Sequence, residues 1–228
     1  MYIYTLKLID MVKRKNLSKS DVITKYMNYT LEHGIPVSVY ALAKAQDFDE
    51  QQFYQYFGTL QKLESEIFIV FFENTLTALG KSEDYQSFDA RNKLLSFYYT
   101  FFENLSANRS YVLLSLNSGN LNLKDLKKLS GLRKEFLNFV GGLGIKITDF
   151  KQEKIGKFQE KAIEETAWAQ LLLTLKFWAV DGSPAFEKTD LLIEKAVAAS
   201  FDLIDSNVFK SLFDLGKFLV KEKFEVKQ

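Results

Sequence analysis

From residue 21 onward the apolar positions recur every three or four residues, and runs rich in leucine and phenylalanine hold that period for several turns. This spacing lines up one face of an α-helix; a half-buried strand would alternate every second residue. It predicts a first helix through Ile23, Tyr26, Met27 and Leu31, stopped at Gly34. Two short helices follow, Ser38 to Ala45 and Glu50 to Phe57. A long one then runs from Thr59 to Gly80, with Leu63, Ile67, Val70, Phe71 and Phe72 on its apolar side. After the break at Gly80 to Asp84, a helix over about Ser87 to Ala107 carries a stripe of Leu94, Tyr98, Phe101, Phe102 and Leu105. Asn108 to Asn122 reads as short and broken, Leu123 to Val140 as one helix, and Leu143 to Lys157 as a loop or short helix. Phe158 to Val180 is the most apolar helix, with Trp168, Leu171, Leu172, Leu175 and Trp178 on one face. It stops at Asp181-Gly182-Ser183-Pro184, where proline cannot continue it. A helix over Phe186 to Asp205 buries Ile193, Val197, Phe201 and Ile204, and one over Val208 to Lys223 follows. The fold class is all-α.

The two short helices have their own punctuation. Ser38 is placed to cap the first, Gln46-Asp47-Phe48-Asp49 breaks it, and Asp49 is placed to cap the second. Asp47 tolerates a left-handed backbone better than most residues other than glycine. Leu42, Ala43, Phe48, Phe53 and Phe57 are spaced to form one small core between helices crossing at a steep angle. Gln51, Gln52, Tyr54, Gln55 and Tyr56 are left on or beside the outer face. They are long enough to reach into a major groove and to hydrogen-bond base edges or phosphates.

The order and spacing of Ile23, Tyr26, Met27 and Leu31, Gly34, Ser38, Leu42-Ala43-Lys44-Ala45, Phe53-Tyr54, Tyr56-Phe57-Gly58, Leu63 and Ile67-Phe68 make Asp21 to Phe72 resemble the N-terminal domain of the TetR family of bacterial transcriptional repressors. The resemblance implies a three-helix DNA-binding head on a larger helical bundle. Residues 1–19 would form an N-terminal extension and basic arm, 20–66 the helix-turn-helix domain, and 67–228 the ligand-binding and dimerisation domain. It further implies a homodimer that binds double-stranded operator DNA and is released or modulated by a small hydrophobic effector. The helices Phe158 to Val180 and Phe186 to Asp205 would then form a four-helix interface across the two-fold axis. Lys13, Arg14 and Lys15 in the arm, with Ser38 and Lys44, join Gln51, Gln52, Tyr54, Gln55 and Tyr56 as the expected DNA contacts. Four positions depart from the family's usual residues: Tyr40 for arginine, Asp47 for glycine, Glu50 for lysine or a small polar residue, and Leu60 for lysine. Asp47, Asp49 and Glu50 with only Lys44 nearby set local charge against the attraction to phosphate.

The whole chain is nearly neutral, 30 Lys and Arg against 29 Asp and Glu, so it is no polycation that coats nucleic acid, and any such contact is local. Its 228 residues, 47% apolar with 2 prolines, suffice for one large or two modest domains with a real core. No cysteine is present, which excludes disulfides and thiol chemistry and fits a cytoplasmic location. The single histidine, His33, ends the first helix and cannot make a multi-histidine metal site. No cofactor is implied. Enzyme signatures such as a phosphate-binding glycine loop, a metalloprotease HExxH or a serine elbow are missing. The carboxylate pairs Glu64 with Glu66 and Glu164 with Glu165 read as solvated faces or ion-pair partners. Met1 to Ile9 is apolar but lacks a preceding basic region and a cleavage site, and Met11 looks the more natural start.

The aromatic load is high, with 21 Phe, 11 Tyr and 2 Trp. Phe97, Tyr98, Phe101, Phe102, Phe136, Trp168, Phe177 and Trp178 are the candidates to line an apolar effector cavity, the alternative being plain core packing. The last helix offers a second function. Lys210, Asp214, Lys217 and Lys221 share one face and Val208, Leu212, Leu215 and Leu219 the other, the pattern of a helix that lies on a membrane surface or packs on its own bundle. The ubiquinone-biosynthesis accessory protein that shares the TetR fold uses a terminal helix in that way, so the alternative is a non-enzymatic lipid- or isoprenoid-binding accessory protein without DNA binding.

Overall fold

The computed structural model describes residues 16–117, 122–145, 153–206 and 215, with 153–158 and 205 described in backbone only. Lys13, Arg14, Lys15 and, except for Leu215, the helix expected over Val208 to Lys223 lie outside the described residues. Among them the chain is all-helical. Its elements are α1 (Lys19–His33), α2 (Val39–Ala45), α3 (Glu50–Tyr54), α4 (Leu60–Gly80), α5 (Glu83–Ser87), α6 (Ala90–Ala107) and α7 (Arg109–Ser115). α8 (Leu123–Lys128), α9 (Ser130–Gly142), α10 (Glu153–Val180), a 3-10 turn Pro184–Phe186 and α11 (Glu187–Asp205) complete it.

Local chemistry sets the boundaries. Ser18 and Asp21 close a capping box on α1: the Ser18 hydroxyl accepts the Asp21 N–H (3.1 Å) and the Asp21 carboxylate accepts the Ser18 N–H (2.9 Å). Gly34, at φ 80°, ends the helix in a conformation that a side chain resists. Thr59 caps α4 and Asp89 caps α6 through the N–H groups of Lys62 and Asn92.

Three helices differ from the periodicity. The expected helix Leu123 to Val140 is two, broken at Leu129 (φ −81°, ψ 0°). Leu123 and Leu126 before the break are exposed and the buried stripe starts at Leu129, with Leu132, Phe136 and Val140, but all six keep helical spacing, so the sequence pattern carries no trace of the kink. The supposedly broken stretch after Asn108 holds α7, whose seven residues are too few to display a period. α10 begins at Glu153, ahead of the expected Phe158.

α4 and α6 pack along each other, α9 lies against α4 and α10, and α11 covers α6 and α10. α9 approaches α4 closely enough that a Cβ on Gly131 would lie 2.6 Å from Ile69 Cδ1. The head helices α1 to α3 close on Val22, Tyr26, Leu42, Phe48, Phe53 and Phe57, all buried, and α1 meets the body at α7. Among the described residues no helix is long and apolar enough to cross a membrane.

Candidate nucleic-acid interface and effector region

The turn between α2 and α3 is held from both sides. Ser38 starts α2 by accepting the Ala41 N–H (3.1 Å), and Lys25 of α1 donates to the Gln46 carbonyl (2.7 Å) where α2 runs out. Asp47 then takes the left-handed conformation (φ 51°), which lets the Phe48 N–H return to the Ala43 carbonyl (3.0 Å) while the Phe48 ring goes into the core. The Gln52 side-chain oxygen accepts the Asp49 N–H (3.1 Å), so this half-buried glutamine caps its own helix. α3 is one short helix that ends at Tyr54, and Gln55 and Tyr56 belong to the turn that follows. Gln51, Tyr54 and Gln55 are exposed, as are Ser38, Tyr40 and Lys44. The Tyr56 hydroxyl donates to the Leu17 carbonyl (2.8 Å) and ties the entry of α1 to the end of α3.

Charge on this face is acidic. A cleft of about 340 Å³ between α2 and the turn is lined by Tyr40, Lys44, Asp47, Asp49 and Glu50. Residues 16–66 carry seven carboxylates against four lysines. Two of those lysines are engaged, Lys19 with Glu66 and Lys25 with Gln46, which leaves Lys44 and Lys62 as the exposed cations of this segment that meet no acid among the described residues.

In the body, seven of the eight aromatic candidates are buried and packed ring to ring. Phe97 stacks on Phe101 (centroids 5.4 Å) and touches Phe136 (5.4 Å). Tyr98 stacks on Phe102 (6.2 Å), Phe102 meets Trp178 (6.2 Å) and Phe136 meets Trp168 (6.2 Å). Phe177 lies apart, on the outer face of α10 with Leu173 and Val180, which are 67% and 74% exposed. Space lies beside these rings: an open cleft of about 330 Å³ touches Phe102 and Trp178, and a smaller, partly open cavity of about 70 Å³ is lined by Leu94, Val140, Ile163, Ala167, Gln170 and Phe201, among others. Gln170 accepts the Ser200 hydroxyl there (2.7 Å), while its buried amide nitrogen has no hydrogen-bond partner among the described residues. At roughly 30 Å³ per water, so small a space admits an effector only if α10 and α11 give way.

Three features escaped the sequence reading. Arg109 opens α7 with its guanidinium between the Trp178 and Phe186 rings, 4.5 Å from each centroid, and donates to the carbonyls of Trp178 (2.8 Å), Ala179 (3.0 Å) and Asp181 (3.2 Å), capping α10. Asp181 is buried, which by itself would raise its pKa. Hydrogen bonds from the N–H and hydroxyl groups of Ser183 and Thr189 outweigh that and hold it down to about 2. Glu64 is buried, whereas Glu66 pairs with Lys19 and Glu165 with Arg133. One signal was available for Glu64: it lies three and four residues before Ile67 and Phe68, inside the apolar stripe of α4.

Comparison with known proteins finds a family match and a structural one that bear on the fold. The family described as tetracyclin repressor-like, C-terminal domain, matches residues 93–219. A solved structure of the fatty acid degradation regulator FadR from Bacillus halodurans is similar with a TM-score of 0.50 and 17% identity, over 86% of this chain and 98% of that one; at that identity the likeness speaks for the fold. No curated protein sequence matches the chain.

Proposed function

The chain belongs to the tetracyclin repressor-like family, matched over more than half its length, and from that premise we propose that it is a transcriptional regulator that binds operator DNA as a homodimer and is modulated by a small hydrophobic effector. The observation that carries this reading is the packed pair α2 and α3 with Gln51, Tyr54 and Gln55 facing outward beside the exposed Lys44. Residues 20–66 act as the DNA-binding domain and 67–228 as the ligand-binding and dimerisation domain. Tyr54, Gln51 and Gln55 read base edges, and Ser38, Lys44 and Tyr56 position the head. Gln52 contributes through the shape of α3, since its amide is committed to the cap. With the head acidic, Lys13, Arg14 and Lys15 supply most of the attraction to phosphate.

The dimer surface is the stripe Ala169, Leu173, Phe177 and Val180 on α10, apolar and solvent-facing in the single chain. The effector enters the cavity beside Gln170, with Phe97, Tyr98, Phe101, Phe102, Phe136, Trp168 and Trp178 as the apolar wall that yields to it. A gel-shift assay on the DNA flanking its own gene, repeated over a salt series, tests the reading. A specific retarded complex with a steep salt slope is expected, and no retardation at low salt refutes it. The acidity of the head favours one second reading, a lipid- or isoprenoid-binding accessory protein that keeps the fold without DNA. Its test is mass spectrometry of the protein purified without added ligand, where bound acyl or isoprenoid material together with no DNA affinity decides for it.

A further inference from the structure

Where the head meets the body, two pairs of hydroxyl side chains face each other across the crossing of α1 and α7. α1 presents Tyr26 and Thr30, and α7 presents Tyr111 and Ser115, each pair four residues apart and hence on one helix face. All four are buried, and the two tyrosine rings meet edge to face at 6.4 Å. Only Tyr26 has its hydroxyl bonded, donating to Glu64 Oε1 of α4 (2.7 Å). The hydroxyls of Thr30, Tyr111 and Ser115 have no hydrogen-bond partner among the described residues.

The other oxygen of Glu64 faces Lys128 Nζ at the end of α8 (3.5 Å), and Lys128 also donates to the Ser115 carbonyl (3.0 Å). Burial pushes both tyrosine pKa values up, and Glu64 adds to both shifts, through its hydrogen bond and charge at Tyr26 and through its charge at Tyr111, while the nearby Thr30 and Ser115 hydroxyls pull Tyr26 and Tyr111 the other way. Both hydroxyls therefore remain neutral donors, and both lie within reach of the field of one carboxylate. An unmade bond at a buried hydroxyl leaves that group stripped of water without a replacement partner, which is unfavourable. With Thr30 and Ser115 close to the two tyrosine oxygens but outside good bonding geometry, and the Tyr111 O–H given no acceptor beside a carboxylate with spare capacity, the seam is incompletely satisfied in this arrangement.

We propose that Glu64 is a shared acceptor with two settings. In the one seen here it takes the Tyr26 hydroxyl and binds the head to α4; in the other it takes the Tyr111 hydroxyl of α7 and releases the head to turn. Lys128 holds the carboxylate in place in both. Because α7 begins at Arg109, which is clasped by the end of α10, a shift of α10 moves α7 and selects the setting. The regulatory consequence rests on the function proposed above; the two settings themselves do not.

The test is a double-mutant cycle in the full chain, Tyr26→Phe, Tyr111→Phe and the pair, read by urea unfolding and by hydrogen exchange of the α1 amides. A shared acceptor predicts that each single variant is buffered by the remaining tyrosine, so that the pair lowers the folding equilibrium constant by about tenfold more than the product of the single effects. It also predicts that Tyr26→Phe speeds exchange in α1 while Tyr111→Phe leaves it unchanged or slows it. Additive effects overturn the proposal, and so does equal slowing or speeding of α1 exchange in both single variants, the outcome expected if Tyr111 merely bonds a water. DNA retention by the same proteins is scored separately: a chain that never binds DNA removes the regulator reading and leaves the result of the cycle standing.

Discussion

Removing the guanidinium of Arg109 tests whether one side chain fastens α7 to the end of α10. The side chain makes three hydrogen bonds to terminal carbonyls, at 2.8, 3.0 and 3.2 Å, and stacks between two rings at 4.5 Å. A hydrogen bond with a charged partner contributes about 1.5–3 kcal/mol, but three from one group are not independent and part of the guanidinium remains hydrated. The two ring contacts add about 0.5–2 kcal/mol between them. Arg109→Ala strips all of this and takes the guanidinium donor from the Ala179 and Asp181 carbonyls, while the Trp178 carbonyl keeps the Asp181 N–H (3.2 Å), for an expected loss of about 3–5 kcal/mol. Arg109→Lys keeps the charge and one donor direction but not the planar fork, so about half that loss is expected. Urea unfolding followed by tryptophan fluorescence measures both, at one fixed protein concentration because association shifts apparent stability. A loss below about 1 kcal/mol in the alanine variant, or a lysine variant as stable as the parent, refutes the clasp.

Other substitutions separate the roles assigned to the head, the dimer face and the α10–α11 corner. Tyr54→Ala and Gln51→Ala are expected to weaken specific DNA retention by about 1–3 kcal/mol each with little effect on the unfolding midpoint. Gln52→Ala instead lowers stability by about 0.5–2 kcal/mol through its cap, and footprints beside urea curves tell the two apart. Leu173→Asp, on the exposed face of α10, is expected to turn a dimer into a folded monomer by light scattering, and an unchanged mass moves the interface elsewhere. Asp181 titrates at about 2 when folded against an ordinary 3.8. Its stabilisation is therefore complete above pH 4 and fades as pH falls towards 2, so the stability difference between the parent and Asp181→Asn should shrink over that window. A difference independent of pH there would assign the effect to packing.

The all-helical class and most of the core were legible in the sequence because they rest on periodicity. Leu42, Phe53, Leu63, Ile67, Leu94, Phe101, Trp178 and Ile193 recur at helical spacing and are buried. The capping positions Ser38, Asp49 and Gly34 were equally local, since a cap needs only its own next turn. The ordering of apolar and capping residues from Asp21 to Phe72 was enough to suggest the family, which the match over residues 93–219 supports from the other end of the chain.

What periodicity does not encode is which faces meet. Gln52 looked outward by its place in the helix, yet its amide turns back to Asp49 because the free N–H at the start of α3 is a closer partner than solvent. The kink at Leu129 is invisible because Leu123, Leu126, Leu129 and Leu132 keep helical spacing across it, although the first two are exposed and only the last two are buried. The aromatic residues could be read as cavity wall or as plain core, because whether rings enclose space or fill it depends on several helices at once; in this fold they stack on one another. Glu64, Tyr26 and Lys128 come from three helices, up to 102 residues apart in sequence, and acquire meaning only where α1, α4 and α8 converge. A buried polar group is specified by its partners, and tertiary packing alone brings those partners together.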